Sequence, residues 1–362
     1  MKKIGAMFLG GIMAITLAAC GKSSQPAINS QTEPAGNVED KGEQEDKETV
    51  KNQEQEIVIQ IGFENSITEP IGQALEYWQK LVEEKGDGSI RLELYPDSQL
   101  GNKNDLIDSM LLGEPVCTLA DGAFFVDYGV PDFGITMGPF LFDTWEVCWT
   151  LLDSEWYAQQ EAALEEKGLK LLTSNWIYGA RNLLTTKPVG AVADLKGMKI
   201  RVPANQIQAK GFEVLDAAPV GMAFGEVYQA IQAGTVEGVE NVLSGLYGQK
   251  LHLVAPYLLM SGHVKNFCVW LVSADFFNSL TPEQQELLLT TGEEAGFYNN
   301  DLQNESAEEY LQLLIDEGVT VTEMSQQLEE EFKEKAQAFY EMEDTFGWSD
   351  GLYETVMEAM GK

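Results

Sequence analysis

Apolar residues recur with the periods of strands and helices through most of the chain after residue 56. Residues 56–63 and 90–95 have the apolar, β-branched content of strands, and residues 71–84 between them carry apolar side chains at helical spacing. A second helix is predicted over residues 106–112. Further strands are predicted over residues 116–119, 169–173, 198–202 and 263–272. Strands separated by helices predict parallel sheets built from βαβ units, and hence an α/β fold.

The last third of the chain is predicted to be helical. Thr281 is a suitable N-cap and Pro282 a suitable first residue for a helix whose periodicity continues to about Asp316. More helix is predicted over residues 325–346 and 351–360. Because the folded part exceeds a comfortable single core, two lobes are expected, and a helix of this length is expected to run along both.

The N-terminus has the pattern of an export signal. Lys2 and Lys3 precede an uncharged apolar stretch that ends in Leu17-Ala18-Ala19-Cys20. This ending resembles the lipobox of bacterial lipoproteins, in which the cysteine receives a diacylglyceryl group. We therefore predict a signal peptide over residues 1–19 and a membrane-anchored mature protein that begins at Cys20. The alternative is an ordinary signal peptide in which Cys20 is incidental.

Residues 20–56 are predicted to be a disordered tether. From residue 21 onward they hold nine acids against four lysines, a net of −5, with almost no apolar side chains. The whole chain carries −35. Subtracting +2 for Lys2 and Lys3 and −5 for residues 21–56 leaves −32 on residues 57–362. A body this acidic argues against nucleic acid as a partner. It also means that any anion site must have dedicated positive charge.

Arginine is rare, and this makes each one informative. Of 23 basic side chains only Arg91, Arg181 and Arg201 are arginine. The planar guanidinium makes a two-point contact with a carboxylate that lysine cannot make. Arg201 lies at the end of a predicted strand, where open α/β sheets bind ligands, whereas Arg91 lies on a solvated strand face. For Arg181 and Arg201 the alternative is a structural ion pair with one of the many acids.

Several segments, in the same order, resemble the solute receptors of TRAP transporters, the DctP type. The segments are Leu94–Gly101, Asp194–Pro203, Met222–Gln232 and Val236–Asn241, and the resemblance extends over residues 57 to about 362. The resemblance implies a clamshell of two α/β lobes with crossing strands and a long lobe-spanning helix. The first lobe is expected to comprise residues 57–178 plus about 267–306. The second is expected to comprise residues 179–266 plus about 307–362, with the C-terminal helices.

The same resemblance implies a set of ligand-binding residues. Arg201 is the position that grips the ligand carboxylate, Arg181 adds a second cationic contact, Asn241 donates hydrogen bonds and Phe224 packs on the apolar face of the ligand. First-lobe positions that face the cleft, together with an aromatic residue near Arg181, complete the set: Glu64, Lys103, Asp121 and Trp176.

Some of these residues have plainer interpretations, which stay open at this point. Phe224 is otherwise a core aromatic, Asn241 otherwise caps a helix that begins near Ser244, and Lys103 is otherwise a solvated residue at a helix start. The two histidines, His252 and His263, do not suffice for a metal set or a histidine-based triad. Since dinucleotide and Gly-x-Ser-x-Gly fingerprints are also absent from the sequence, we expect no cofactor and no enzyme.

The function expected from the resemblance is capture of a small organic acid at the extracytoplasmic face of the cell membrane and its delivery to TRAP-type membrane subunits. The alternatives are a receptor for an ABC-type importer or a sensor and, third, a secreted hydrolase or lyase. Two ligand classes remain open. Asp121 and Glu64 suit the hydroxyls of a sugar acid, whereas Lys103 with Arg181 suits the second carboxylate of a dicarboxylate.

Overall fold

A computed structural model describes residues 56–362, and the strands in this range form one mixed sheet. The predicted signal peptide, Cys20 and the tether up to residue 55 lie outside the described residues. The strands are β1 (Ile57–Gly62), β2 (Ile90–Tyr95), β3 (Val116–Ala120), β4 (Leu169–Thr185), β5 (Lys199–Val202), β6 (Ala218–Gly221), β7 (Gly238–Asn241), β8 (Tyr257–Ser273) and β9 (Thr320–Glu323). Their order is β2-β1-β3-β8-β4-β7-β5-β6, and β9 pairs with β8.

Helices of very different length connect and cover these strands. They are α1 (Pro70–Lys85), α2 (Lys103–Leu111), α3 (Gly122–Phe125), α4 (Trp145–Leu152), α5 (Glu155–Glu166), α6 (Gln206–Glu213), α7 (Val227–Gln232), α8 (Leu243–Gly248), α9 (Ala274–Ser279), α10 (Pro282–Asp316), α11 (Gln326–Tyr340), α12 (Glu343–Phe346) and α13 (Leu352–Ala359). Among residues 56–362, none of these helices combines the length and the apolar character needed to cross a membrane.

Two long antiparallel strands join the two halves of the sheet. β4 and β8 pair from Leu169 opposite Ser273 to Thr185 opposite Tyr257. β3 adds to the end of this ladder near Val269, and β7 adds to the other end at Asn182. The parallel strands β1–β3 therefore extend one half, and β5–β7 extend the other. The predicted crossing strands are present, although the pattern predicted only residues 169–173 of β4 and residues 263–272 of β8.

Gly179 lies where β4 passes from one half to the other. The register of the β4–β8 pairing shifts between Ile177 and Gly179. The φ angle of Gly179 is +132°, which side-chain-bearing residues rarely adopt, and a Cβ added there would lie 3.0 Å from Val242 Cγ1. Glycine thus allows the strand to change register in close contact with the residue that follows β7.

The long helix α10 begins and ends where the sequence predicts. Thr281 Oγ1 accepts a hydrogen bond from Gln284 N, and Gln284 Oε1 accepts one from Thr281 N, so that a capping box with Pro282 at its first position starts the helix. The helix packs on α1 and β4 and also on α8, so it contacts both halves. The two indoles of Trp78 and Trp176 bind it, by donating to Thr291 Oγ1 and to the Gly292 carbonyl.

The C-terminal helices contact both halves of the molecule. In α11, Leu328 and Phe332 share a core with Ile200 of β5, in the half assigned to the second lobe. The residues that follow join another core, where Phe339, Phe346, Trp348 and Val356 pack with first-lobe residues that include Phe125 and Phe133. The predicted lobe boundaries stay a prediction. Residues 307–362 were grouped with the second lobe, and in the structure they pack against both halves.

Gly179→Ala is expected to lower the free energy of unfolding by about 1–3 kcal/mol, the cost of placing a side chain in a sparsely populated backbone conformation. Gly190→Ala is the matched control, since its added Cβ would meet no atom within 4 Å and its φ is not in the positive range. Urea unfolding followed by circular dichroism compares the two. Equal stabilities for both variants would show that the crossing does not need glycine.

Candidate functional site

Side chains from both halves surround a cavity beside the point where the paired strands β4 and β8 pass from one half of the sheet to the other. The free space between these side chains, part of it continuous with solvent, is about 340 Å³. Its lining residues are Glu64, Lys103, Leu119, Asp121, Phe124, Tyr178, Arg181, Arg201, Pro203, Phe224, Asn241, Asn266 and Cys268. The structure thus brings together seven of the eight residues predicted from the sequence to bind ligand.

Arg201 is a buried cation held by backbone and aromatic contacts. It lies near the end of β5, and its Nε and Nη2 donate to the Met222 carbonyl at 3.0 and 2.6 Å. Its guanidinium carbon lies 5.3 Å from the centre of the Phe224 ring. Within residues 56–362 the arginines that pair with carboxylates are Arg91 and Arg181, and Arg201 is not among them. Burial lowers the pKa of Arg201 to about 10, so it stays charged at neutral pH.

Arg181 differs because its charge is already neutralised. Its Nε and Nη2 donate to the two carboxylate oxygens of Glu240 at 2.5 and 2.7 Å, Nη2 also donates to the Glu240 carbonyl, and Nη1 donates to Asn266 Oδ1. His263 Nε2 lies 3.4 Å from the same Glu240 carboxylate. The structural ion pair left open for Arg181 is therefore present. Because a guanidinium carries five N–H donors, these contacts leave one Nη1 N–H at the cavity.

Electrostatics support an ionised Arg181–Glu240 pair. Burial by itself would raise the pKa of Glu240, but Arg181 and His263 lower it to about 2. Burial lowers the pKa of Arg181, and the attraction of Glu240 outweighs this and raises it above its ordinary value. Both groups are consequently charged across the physiological range, and the pair adds no net charge to the cavity.

The first half contributes a second ion pair and a buried acid. Lys103 Nζ lies 3.5 Å from Glu64 Oε2 and 4.5 Å from the centre of the Phe124 ring. Since Lys103 is only 9% exposed, it is not the solvated surface residue that the alternative interpretation required. Asp121 Oδ1 caps the short helix α3 by accepting from Ala123 N at 3.1 Å. Burial raises the pKa of Asp121, and nearby Lys103 and Arg181 partly oppose this effect.

Asn241 and Phe224 line the cavity from the second half. Asn241 Oδ1 accepts a hydrogen bond from Val242 N at 2.8 Å, and α8 begins at Leu243 with no side-chain cap, so the helix-cap interpretation is wrong. Within residues 56–362, Asn241 Nδ2 has no hydrogen-bond acceptor, which leaves it available as a donor at the cavity. Phe224 belongs to a hydrophobic core and also lines the cavity, so the core interpretation is correct and its packing on a ligand stays a prediction.

Trp176 is the candidate that the structure does not bring to the cavity. It is fully buried between Trp78 and Trp270, with ring centres 6.0 and 5.4 Å away, and its indole nitrogen donates to Gly292 of α10. Its place near Arg181 in the sequence is misleading because side chains along this strand point to different sides. We therefore correct the prediction: Trp176 is a core residue.

Two polar residues on the crossing strands were missed by the sequence analysis. Tyr178 of β4 and Asn266 of β8 line the cavity, and Asn266 holds Arg181. The available signal was a side chain with a polar group next to buried apolar residues: Tyr178 follows Trp176-Ile177, and Asn266 precedes Phe267-Cys268-Val269. Pairing between β4 and β8 is needed to place them together, and a single sequence does not reveal that pairing.

The charges around the cavity leave one cation for a ligand. Lys103 pairs with Glu64 and Arg181 with Glu240, whereas Arg201 forms no ion pair in the part of the chain that the structure describes. In the described residues no group of histidine, cysteine and acidic side chains is arranged to hold a metal ion. A cavity between two α/β halves, lined by polar and charged side chains from both, is the arrangement of a two-lobed solute-binding protein.

The chain belongs to a known family of this class. Residues 61–345 match the model of bacterial extracellular solute-binding protein family 7, DctP. Members of this family serve as solute receptors of TRAP transporters, and they are transport proteins rather than enzymes. The family prediction, the α/β clamshell and the absence of an enzymatic role are thereby confirmed, in preference to the hydrolase or lyase alternative.

Similar proteins come from several bacteria. A solute-binding protein of Sulfitobacter sp. (strain NAS-14.1) is 34% identical over 253 residues, which are 69% of this chain and 76% of that protein. A TRAP periplasmic solute-binding protein of Ochrobacterium anthropi, solved with bound L-fuconate, has a TM-score of 0.80 at 34% identity and covers 84% of this chain and 99% of its own. One from Actinobacillus succinogenes, solved with L-galactonate, has a TM-score of 0.79 at 30% identity, with coverages of 84% and 99%.

Glu240→Ala is expected to destabilise the protein by about 3–5 kcal/mol near neutral pH, because it leaves Arg181 buried without its partner. The folded-state pKa of Glu240 is about 2, against an ordinary 4.5. Its contribution is therefore present above about pH 4.5 and is lost as the pH falls toward 2, so the difference from the parent protein should shrink over that range.

The control for this prediction is Glu237→Ala, which removes the partner of the exposed Lys187 in a pair of 2.6 Å. Its expected cost is below about 1 kcal/mol. Denaturant unfolding of both variants between acidic and neutral pH gives the comparison. A Glu240→Ala cost as small as that of Glu237→Ala would contradict a stabilising role for the buried pair.

Proposed function

We propose that this receptor binds a monoanionic sugar acid through a two-point contact between Arg201 and the ligand carboxylate, and delivers it to TRAP-type membrane subunits. The observation that carries the proposal is the buried guanidinium of Arg201, whose donors on one side bind the Met222 carbonyl and which forms no ion pair with a carboxylate among residues 56–362. A buried cation is costly unless it is paired, and a carboxylate ligand supplies the pair.

The charge count favours one ligand carboxylate over two. A dicarboxylate needs a second free cation, but Lys103 and Arg181 are each paired with glutamate. The remaining polar groups suit hydroxyls. Glu64 and Asp121 offer acceptor oxygens, and Asn241 Nδ2 and the last Nη1 N–H of Arg181 are donors. The sugar acids in the similar structures from O. anthropi and A. succinogenes have this combination of one carboxylate and several hydroxyls.

Arg201→Ala is expected to weaken L-fuconate or L-galactonate binding about thirty- to several-thousand-fold, since truncating one partner of a buried charge pair costs about 2–5 kcal/mol. Arg201→Lys should recover little of the loss because it restores the charge without the planar pair of donors. Calorimetric titration of the folded variants measures both. Succinate should bind the parent protein much more weakly than either sugar acid.

The control is Arg91→Ala, which removes the arginine that pairs with Glu56 and Glu93 at the surface, and it should bind like the parent. If Arg201→Ala, correctly folded, bound sugar acids within threefold of the parent, the proposed carboxylate contact would be wrong. Stronger binding of succinate than of both sugar acids would overturn the ligand class while leaving the role as a receptor intact.

We also propose that Cys20 is lipidated and anchors the receptor to the membrane, with residues 21–56 as its tether. The support is the apolar run and Leu17-Ala18-Ala19-Cys20. Two acyl chains suffice for stable attachment. Cys20→Ala should abolish incorporation of radiolabelled palmitate and release the protein from the membrane fraction, and Cys117→Ala should leave both unchanged. A Cys20→Ala protein that remains labelled and membrane-bound would refute the anchor.

A further inference from the structure

Asp121 places an unused carboxylate oxygen at the solute cavity. The residue is 6% exposed, and its Oδ1 accepts a hydrogen bond from Ala123 N at 3.1 Å. Among residues 56–362 no donor reaches Oδ2, yet part of the surface of Oδ2 is open, and Asp121 lines the cavity. Because a polar atom in a buried site normally has a hydrogen-bond partner, Oδ2 is expected to accept one from the solute.

Asp121 and Arg201 approach the cavity from opposite sides. Asp121 directly follows β3, and Arg201 lies near the end of β5. The strands β8, β4 and β7 lie between β3 and β5 in the sheet. A solute whose carboxylate is bound by Arg201 therefore directs its other end toward Asp121.

The cations near Asp121 are already paired. They are Lys103 and Arg181, which form ion pairs with Glu64 and Glu240. Glu64 and Lys103 line the cavity together with Asp121, so the wall from the first half has two carboxyl groups and one ammonium group. Such a wall favours a solute group that donates hydrogen bonds over a group that carries negative charge.

A second ligand carboxylate beside Asp121 would be costly. Burial raises the pKa of Asp121, and the attraction of Lys103 and Arg181 and the hydrogen bond from Ala123 N oppose this rise. A carboxylate placed next to this group adds a like charge, and two acids that share one site cannot both ionise without a large cost. A hydroxyl has no such cost, and it can donate to Oδ2.

We propose that Asp121 is a specificity-determining residue, which accepts a hydrogen bond from the end of the solute far from Arg201 and excludes solutes with a second carboxylate at that end. The proposal rests on the proposed binding of a sugar acid with its carboxylate on Arg201. The pairing of Lys103 and Arg181 only denies a second carboxylate an attractive partner, whereas Asp121 repels it.

Two solutes that differ only at this end test the proposal. Galactarate has the hydroxyl groups of the L-galactonate chain, and a carboxylate replaces the terminal CH₂OH group. In calorimetric titration the parent protein should bind L-galactonate at least about a hundredfold more tightly than galactarate, because like charges at close range repel strongly in a site with little water.

Asp121→Asn and Asp121→Ser remove the charge and keep a side-chain oxygen that can cap α3 at Ala123 N. Each variant should bring the two affinities at least about tenfold closer, because galactarate no longer meets a like charge. L-galactonate should bind these variants somewhat more weakly, since it loses a charge-assisted hydrogen bond. Circular dichroism checks that both variants are folded.

The control is Asp127→Asn, which removes an exposed acid from the segment after α3 that does not line the cavity. It lowers the net charge of the protein by the same amount as Asp121→Asn, and it should keep the parent's ratio of the two affinities. The comparison separates the local effect of Asp121 from the general repulsion between an acidic protein and a doubly charged solute.

The outcomes distinguish this proposal from the proposed function. If the parent binds L-galactonate but both variants keep its ratio of affinities, Asp121 does not set specificity, and the sugar-acid receptor stands. Binding of L-fuconate without L-galactonate would likewise overturn the role of Asp121 alone, since the far hydroxyl would be rejected. Tighter binding of galactarate than of L-galactonate by the parent, or binding of none of the three solutes, would overturn both the ligand class and this proposal.

Discussion

The antiparallel pairing of β4 with β8 is the interaction on which the rest of the structure depends. These are the strands that continue from one half of the sheet into the other, and each half adds its shorter strands to opposite ends of their ladder. The residues that line the cavity from the middle of the ladder are Tyr178, Arg181, Asn266 and Cys268. Loss of this register would separate Arg181 from Asn266. The cavity would then lose the side chains that β4 and β8 contribute to its lining, even if both halves kept their cores.

The two buried arginines show how one residue type serves two purposes. Arg181 is surrounded by acceptors from two strands, Glu240 of β7 and Asn266 of β8, and Glu240 is 1% exposed, so the position of Arg181 is determined by the fold alone. Arg201 has one backbone acceptor and an aromatic ring. Its desolvation is only partly compensated within the described residues, so part of its hydrogen-bonding capacity is reserved for a ligand. A fixed, neutralised arginine beside an arginine without an ion-pair partner in residues 56–362 leaves the cavity one cation for a ligand, and Asp121 adds a buried acid.

The sequence was sufficient for elements whose signals are local. The bounds of α10 follow from Thr281, Pro282 and helical periodicity, and no tertiary contact is needed to read them. The inner part of β4 was not predicted, because Ser174, Asn175 and Gly179 break the apolar alternation. Other elements accommodate them: Ser174 Oγ donates to Glu161 of α5, Asn175 Nδ2 donates to the Glu293 carbonyl of α10, and Gly179 lies against Val242. Trp176 was misassigned for a related reason, since the side of a strand that faces the cavity is set by register. Glu69 followed by Pro70 reads as an ordinary helix start, and its burial depends on α8, which lies far away in sequence.

An acidic body that captures an anion has to rely on short-range contacts. Residues 57–362 carry −32, so the surface repels an anionic solute at a distance. Salt screens this repulsion over a Debye length of about 8 Å under physiological conditions. In the proposed complex the solute contacts Arg201 directly, inside the cavity and away from the outer surface. The low polarizability around a buried guanidinium strengthens that contact relative to the screened repulsion. In this proposal, preference for a ligand with one carboxylate depends on which of Lys103, Arg181 and Arg201 are already paired with glutamate. The net charge of the molecule does not set this preference and contributes to solubility instead.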